Sequence, residues 1–216
     1  MIIGIGNKAR QGKDTAGAYL QRKYGFNILH FADPIYDECR KCNILFNREK
    51  GIFYLKPPDE NYYVFENPPP HVIGWIEENG ESRDDLPFNS DIIYTGMKNK
   101  DSIVLQFWGT DFRRKIYGWD FWLKKIEKIL LDNREKDYCL PDTRFINEAE
   151  LIKSLGGYVW RVIRPEYNVT DRKTSHTSET ELDNWDYDIV MINSGTIPDL
   201  YGKVDEEYSK LRLKNE

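Results

Sequence analysis

The chain has 216 residues, 40% of them hydrophobic and 14% aromatic, enough for one α/β domain with a real core or for such a domain with a small appendage. Its 31 basic and 36 acidic residues leave a net charge of -5, which excludes a general pull toward nucleic acid or a membrane surface, so anions must be held by local basic clusters. No 18-residue apolar stretch is present, and three cysteines are too few for a disulfide scaffold, so a soluble, intracellular, cytoplasmic protein is expected.

The first fifteen residues organise the rest. Ile2 to Ile5 read as a short buried strand, a loop with Gly6, Lys8 and Arg10 follows, and Gly12-Lys13-Asp14-Thr15 opens a helical pattern ending at Tyr24 and Gly25. Strand, glycine-containing loop, Gly-Lys and helix is the order of a phosphate-binding loop, in which backbone N–H groups and a helix N-terminus face one anion. The spacing G-x-x-x-x-G-K-[ST] is met with two departures: Asn7 stands at the first glycine position, and Asp14 precedes the hydroxyl of Thr15. Asn tolerates positive φ, so the loop geometry survives the first departure.

Further along, Phe26 to Ala32 is a second buried strand, and Asp33 with Pro34 is expected to cap and open the next helix. Asp33 also stands at a strand's carboxyl end, where open parallel sheets bind ligands. Cys39-Arg-Lys-Cys42 has C-x-x-C spacing without a second pair, and a helix there would put both thiols on one face. From Ile44 to Lys100 the regular pattern fades into proline-rich and acidic turns between short aromatic runs, the composition of an insertion that covers a site. Its aromatics suit either the insertion's own packing or stacking on a base.

Regular patterning returns with a helix from about Asp101 that carries Arg113 and Arg114 near its end. A second amphipathic helix runs from Gly118, its apolar positions including Trp119, Trp122, Ile126 and Leu130. The two arginines suit a solvated last turn or a phosphate clamp. Asp137 to Asp142 is a third strand, followed by Arg144 and a helix from Asn147 to Leu155. Tyr158 to Ile163 is a fourth strand, delivering Arg161 and Arg164, and Asp188 to Asn193 is a fifth, before a closing helix from Ile197 to Leu213. Five strands alternating with helices predict an α/β, three-layer, parallel doubly wound sheet with helices on both faces. Asp142, at a strand end beside a phosphate loop, is placed to hold Mg²⁺ directly or through water.

With these stretches placed, the chain resembles the bacteriophage deoxynucleoside monophosphate kinases, a branch of the P-loop nucleotide kinases. The resemblance rests on Asn7 to Thr15, Phe31 to Pro34, Leu105 to Arg113, Asp142 to Glu150, and Ser175 to Asp183 with Asn193 to Thr196. It implies a single P-loop NTPase-like domain over 1–216, with 44–100 as an insertion of NMP-binding or lid type. It also implies transfer of the ATP γ-phosphoryl group to the 5′-phosphate of a deoxynucleotide with Mg²⁺ present.

The site residues follow from the same resemblance. Asn7, Lys8, Arg10, Gly12, Lys13, Asp14 and Thr15 would hold ATP, and Asp14 and Asp142 the Mg²⁺. Arg113, Arg114 and Arg144 would clamp the acceptor phosphate, with Asp33 and Trp122 on the acceptor side. Arg161, Arg164 and Arg172 would close on the transferring group. Small nucleotides are the expected partners, with no nucleic acid polymer and no membrane, and a homodimer stays open. A P-loop kinase for phosphomevalonate, dephospho-coenzyme A or a modified-base nucleotide, and a non-catalytic nucleotide-binding switch, are the competing readings.

Overall fold

The computed structural model describes residues 1–6, 8, 10–82, 92–165 and 181–215. In chain order these form β1 (Ile2–Gly6), α1 (Lys13–Tyr24), β2 (Asn27–Ile28), α2 (Asp33–Cys39), β3 (Asn43–Asn47), β4 (Ile52–Lys56), β5 (Tyr63–Glu66), α3 (Pro70–Asn79), β6 (Glu81–Ser82) and β7 (Ile92–Thr95). Then come α4 (Ser102–Gln106), a π-helical segment (Phe107–Arg114), α5 (Lys115–Tyr117), α6 (Phe121–Asp132), β8 (Tyr138–Thr143), α7 (Ile146–Ser154), β9 (Tyr158–Ile163), β10 (Ile189–Ile192) and α8 (Ile197–Asn215). Among the described residues, no helix is long and apolar enough to cross a membrane.

The chain divides into two compact units, one of residues 1–31 and 123–216, the other of residues 32–122. The first unit is the expected parallel sheet, ordered β10-β9-β1-β8-β2 with every pairing parallel. The first strand is central and crossovers run to both sides, the doubly wound arrangement. Alternation along the strands feeds two apolar layers. Ile3, Ile5, Trp160 and Val162 face Ala16, Leu20, Val204 and Leu211 of α1 and α8. Leu140 and Val159 face Ile126, Leu130, Ala149 and Ile152 of α6 and α7. Burial of each Ile, Leu and Val among these contributes about 1.5–3 kcal/mol before conformational entropy is counted. Polar ties finish the α1–α8 contact: Asp205 accepts from Tyr19, Lys23 and Tyr24 at 3.0, 2.6 and 2.7 Å.

The second unit has its own antiparallel sheet, ordered β5-β4-β3-β7-β6, and its own core. All the described residues of the expected 44–100 insertion fall in it, and it extends beyond them at both ends. Its aromatics pack on one another edge to face. Phe53 meets Phe46 and Phe107 at centroid distances of 5.2 and 5.8 Å, and Phe65 meets Phe107 at 5.4 Å.

Local readings shift in four places. Ala32, not Asp33, takes the N-cap position of α2; Asp33 is the first helical residue, where its charge complements the helix dipole. The helix ends at Cys39, so the two thiols do not share a helix face. Cys42 instead donates from Sγ to the Cys39 carbonyl at 3.3 Å, and burial pushes both thiols up, Cys42 to about 12. Gly118, at φ 94, breaks the chain direction, α6 starts only at Phe121, and Trp119 is left 73% exposed beneath the Arg114 guanidinium. The helix opened by Asp101, whose side chain accepts from Ile103 N and Val104 N, widens to π geometry over Phe107–Arg114.

That widened segment buries an ionic centre. Arg113, 1% exposed, donates from Nε to Glu38 at 2.7 Å and from both terminal nitrogens to Glu60 at 3.1 and 2.6 Å. Trp108 Nε1 adds a second hydrogen bond to the same Glu38 oxygen at 3.0 Å. Burial works against the Arg113 charge, and the Glu60 and Glu38 bonds outweigh it and raise its proton affinity. Removing Glu38 would take the acceptor from two buried donors, Arg113 Nε and Trp108 Nε1, and one of the two carboxylates from the guanidinium. Glu38→Leu is therefore expected to lower stability by about 3–5 kcal/mol in urea unfolding. Glu38→Leu combined with Arg113→Met should recover part of that loss. A single variant as stable as the parent would show that the pair does not hold the segment.

Candidate active site

Sheet register builds the site in the first unit. Gly6, the last residue of β1, stands opposite Thr143 on one side and Arg161 on the other. Ile192, the last residue of β10, stands opposite Ile163 of β9. The carboxyl ends of four strands therefore deliver the loop after Gly6, the Asp142–Arg144 stretch, Arg161 with Arg164, and Asn193 to one edge of the sheet. The β1–β8 register slips between Gly4 and Gly6, where Leu140 and Thr143 are the partners. β8 thus carries one extra residue at Pro141–Asp142. Proline has no N–H for the ladder, which suits it to such a bulge. Just beyond β2, Phe31 N donates to both Asp142 carboxylate oxygens, at 3.2 and 3.0 Å.

The loop is tight. Arg10 and Gly12 both lie at positive φ, 60 and 107, and Gly12 is the N-cap of α1 with no side-chain cap. The first-turn N–H groups are thus not closed off by a capping side chain. Lys13 is only 5% exposed, and its Nζ donates to the Lys8 carbonyl at 2.6 Å, so its ammonium folds back over the loop. Lys8 pairs with Asp183 at 3.5 Å. Arg161 reaches the same residue, at 3.3 Å to the carboxylate and 3.2 Å to the backbone carbonyl, while its guanidinium lies 5.2 Å from the Tyr187 ring. Two cations of the strand edge thus share one carboxylate. Asn7 and Arg172 lie outside the described residues.

Asp14 is exposed on the first turn of α1 and Asp142 is half-buried at the β8 end. Burial raises the proton affinity of the Cys139 thiol, and the charges of Asp142 and Asp14 add to the rise. Among the described residues no group of three or more His, Cys, Asp or Glu could hold a metal by itself. One or two carboxylates that share an ion with phosphate oxygens are what Mg²⁺ takes, and Asp14 and Asp142 are donors of that kind.

The residues expected on the acceptor side belong to both units. Arg144 and Asp142 belong to the first unit's strand edge. Asp33, Arg113, Arg114 and Trp122 belong to the second unit. Of these, Arg113 is committed to Glu38 and Glu60, and Trp122, buried, donates from Nε1 to the Gly109 carbonyl at 2.9 Å across the π-helical turn.

Gln11, Glu148, Asp183 and Asn193 were not singled out as site residues by sequence reasoning, although all four lie in the stretches that carry the family resemblance. Glu148, at the third position of α7, accepts from Arg144 N at 2.7 Å and Phe145 N at 3.2 Å, half of a capping box. It holds the backbone of the arginine that follows β8. Burial pushes its carboxyl up from 4.5 to about 7, with Asp142 adding to the rise and the two N–H donors opposing it. A carboxyl raised in the fold stabilises fully below its unfolded pKa and loses that contribution as pH climbs through the folded value. Relative to Glu148→Gln, the parent should therefore lose up to about 3 kcal/mol between about pH 4.5 and about pH 7 and then level off. Urea unfolding of both proteins across that range checks this; parallel curves would refute it.

A family model described as deoxynucleotide monophosphate kinase matches residues 89–204. The chain is 30% identical to a protein of Acanthamoeba polyphaga mimivirus, covering 94% of each. It is 28% identical to the deoxynucleotide monophosphate kinase of Enterobacteria phage T4 over 94% of this chain and 96% of the phage protein. Against the enzyme of the same name from Escherichia phage RB69 it is 28% identical over 48% of this chain and 42% of that one. With more than half of its residues inside the family match and relatives aligned nearly end to end, the chain belongs to the deoxynucleotide monophosphate kinase family.

Proposed function

We propose that the chain transfers the γ-phosphoryl group of ATP to the 5′-phosphate of a deoxynucleoside monophosphate, giving a deoxynucleoside diphosphate and ADP. The observation that carries this reading is the register that brings the Gly6–Lys13 loop, Asp142–Arg144 and Arg161 to one sheet edge. Phosphoryl transfer asks for positioning and charge neutralisation more than for covalent chemistry. That edge supplies cations, loop N–H groups and two carboxylates.

In this reading Lys13 exchanges the Lys8 carbonyl for the β- and γ-phosphates, and the loop N–H groups with Thr15 hold the α/β region. Lys8 and Arg10 add positive charge around the same phosphates. Asp14 and Asp142 hold Mg²⁺, which when bound neutralises charge on the phosphate oxygens. Arg144, its backbone set by Glu148, binds the acceptor phosphate. Arg161 exchanges Asp183 for the transferring group, with Arg164 beside it. One such arginine is worth about 10³–10⁵ in rate, roughly 4–7 kcal/mol. For Asp33, Arg114 and Trp122 the role on the acceptor side is supported by the family resemblance alone. Arg113 acts there through the ion pairs that hold its helix.

Release of ADP over a panel of dNMPs, phosphomevalonate and dephospho-coenzyme A tests the reading. Turnover with at least one dNMP and none with the other two is expected; ATP binding without acceptor-stimulated turnover would make the chain a nucleotide switch instead. Lys13→Ala should lower turnover by at least a thousandfold with the fold intact by circular dichroism. Arg144→Ala should raise the acceptor KM or lower kcat while ATP affinity stays within about twofold. Collapse of ATP affinity in that variant would move Arg144 to the donor side.

A further inference from the structure

Gln11 is a polar loop residue, 5% exposed, held at both ends. Its side-chain oxygen accepts from Arg164 N, just past β9. Its backbone carbonyl accepts from Asn193 Nδ2 at 2.9 Å, just past β10. Asn193 is itself fixed, since its N–H donates to the Ile163 carbonyl at 2.6 Å. The next residue, Gly12, is at φ 107, and a Cβ there would come within 2.6 Å of Asn193 Nδ2. Asn193 therefore packs directly on the Gln11–Gly12 peptide as well as bonding to it.

The carbonyl and N–H of a trans peptide point in opposite directions, so fixing one aims the other. A peptide that precedes glycine is easily turned over, because glycine accepts either sign of φ. Turned over, this peptide would present a carbonyl oxygen where an anion-binding loop needs an N–H. We infer that Asn193 and Gln11 are positioning residues that lock the Gln11–Gly12 peptide with its N–H toward the donor phosphates. The inference rests on the reading of the loop as the ATP site. It adds a reason for an asparagine at the end of β10 and a glutamine within the loop. Neither needs to touch the nucleotide.

The test is ATP affinity by calorimetric titration, with steady-state KM for the dNMP, on the full chain. Asn193→Ala should weaken ATP binding about tenfold and leave the dNMP KM and the thermal midpoint nearly unchanged, a split that a merely structural bond would not produce. Gln11→Met, which keeps the length and loses the acceptor, should do the same. The double variant should be no worse than the weaker single one, since both act on one peptide. Unchanged ATP affinity in Asn193→Ala, beside a parent that binds ATP, overturns the lock alone. A parent that binds no ATP overturns the donor-site reading with it. Should Asn193→Ala fail to fold, Gln11→Met decides, and parental affinity there overturns the lock.

Discussion

The first unit depends on the placement of β1 between two parallel neighbours. A parallel sheet with helices on both faces buries its strands completely, and Ile3 to Gly6 are buried throughout. Parallel pairing puts all the carboxyl ends on one edge, where β1 and β8 lead into α1 and α7. The loop after Gly6, the bulge at Pro141–Asp142, Arg161 within β9, Arg164 just past it and Asn193 after β10 all follow from that edge. None of these groups is near another in sequence. Their assembly is a property of the sheet, and so is the concentration of positive charge in a protein of net charge -5.

Protein groups occupy the cations of this edge. Asp183 lies against Lys8 and Arg161, and the Lys8 carbonyl takes the Lys13 ammonium. Such contacts lower the cost of collecting like charges at one edge of the sheet. They are also contacts that phosphate oxygens, with more charge, can replace. Where the chain must not move, the bonding is of another kind: Glu148 fixes backbone N–H groups, and Phe31 N fixes Asp142.

The second unit solves a different problem. Its core is aromatic, and its helix widens over Phe107–Arg114 around an arginine with two carboxylate partners. Arg113 and Arg114 are adjacent in sequence and read alike as phosphate ligands. They diverge because one points into the core and the other lies over Trp119. A helix periodicity of 3.6 does not describe a π turn, so the sequence could not say which arginine turns inward.

Residue spacing by itself determined the strand–loop–helix at residues 2–24, the five strands of the parallel sheet and the helices that cover them, because those signals are local: apolar runs, glycine stops and the Gly-Lys step. It also placed Lys13, Asp142 and Arg144 at one edge, since the carboxyl ends of parallel strands share an edge in any doubly wound sheet. Tertiary structure alone decided the partners. The union of Gln11 with Asn193, of Glu148 with the Arg144 backbone, and of Arg113 with Glu38 and Glu60 joins residues whose contacts depend on sheet register and helix packing. It likewise decided that residues 32–122 form a unit with its own sheet. The proline-rich turns and short aromatic runs of that stretch carry no period long enough to reveal antiparallel pairing, which is set between strands rather than along them.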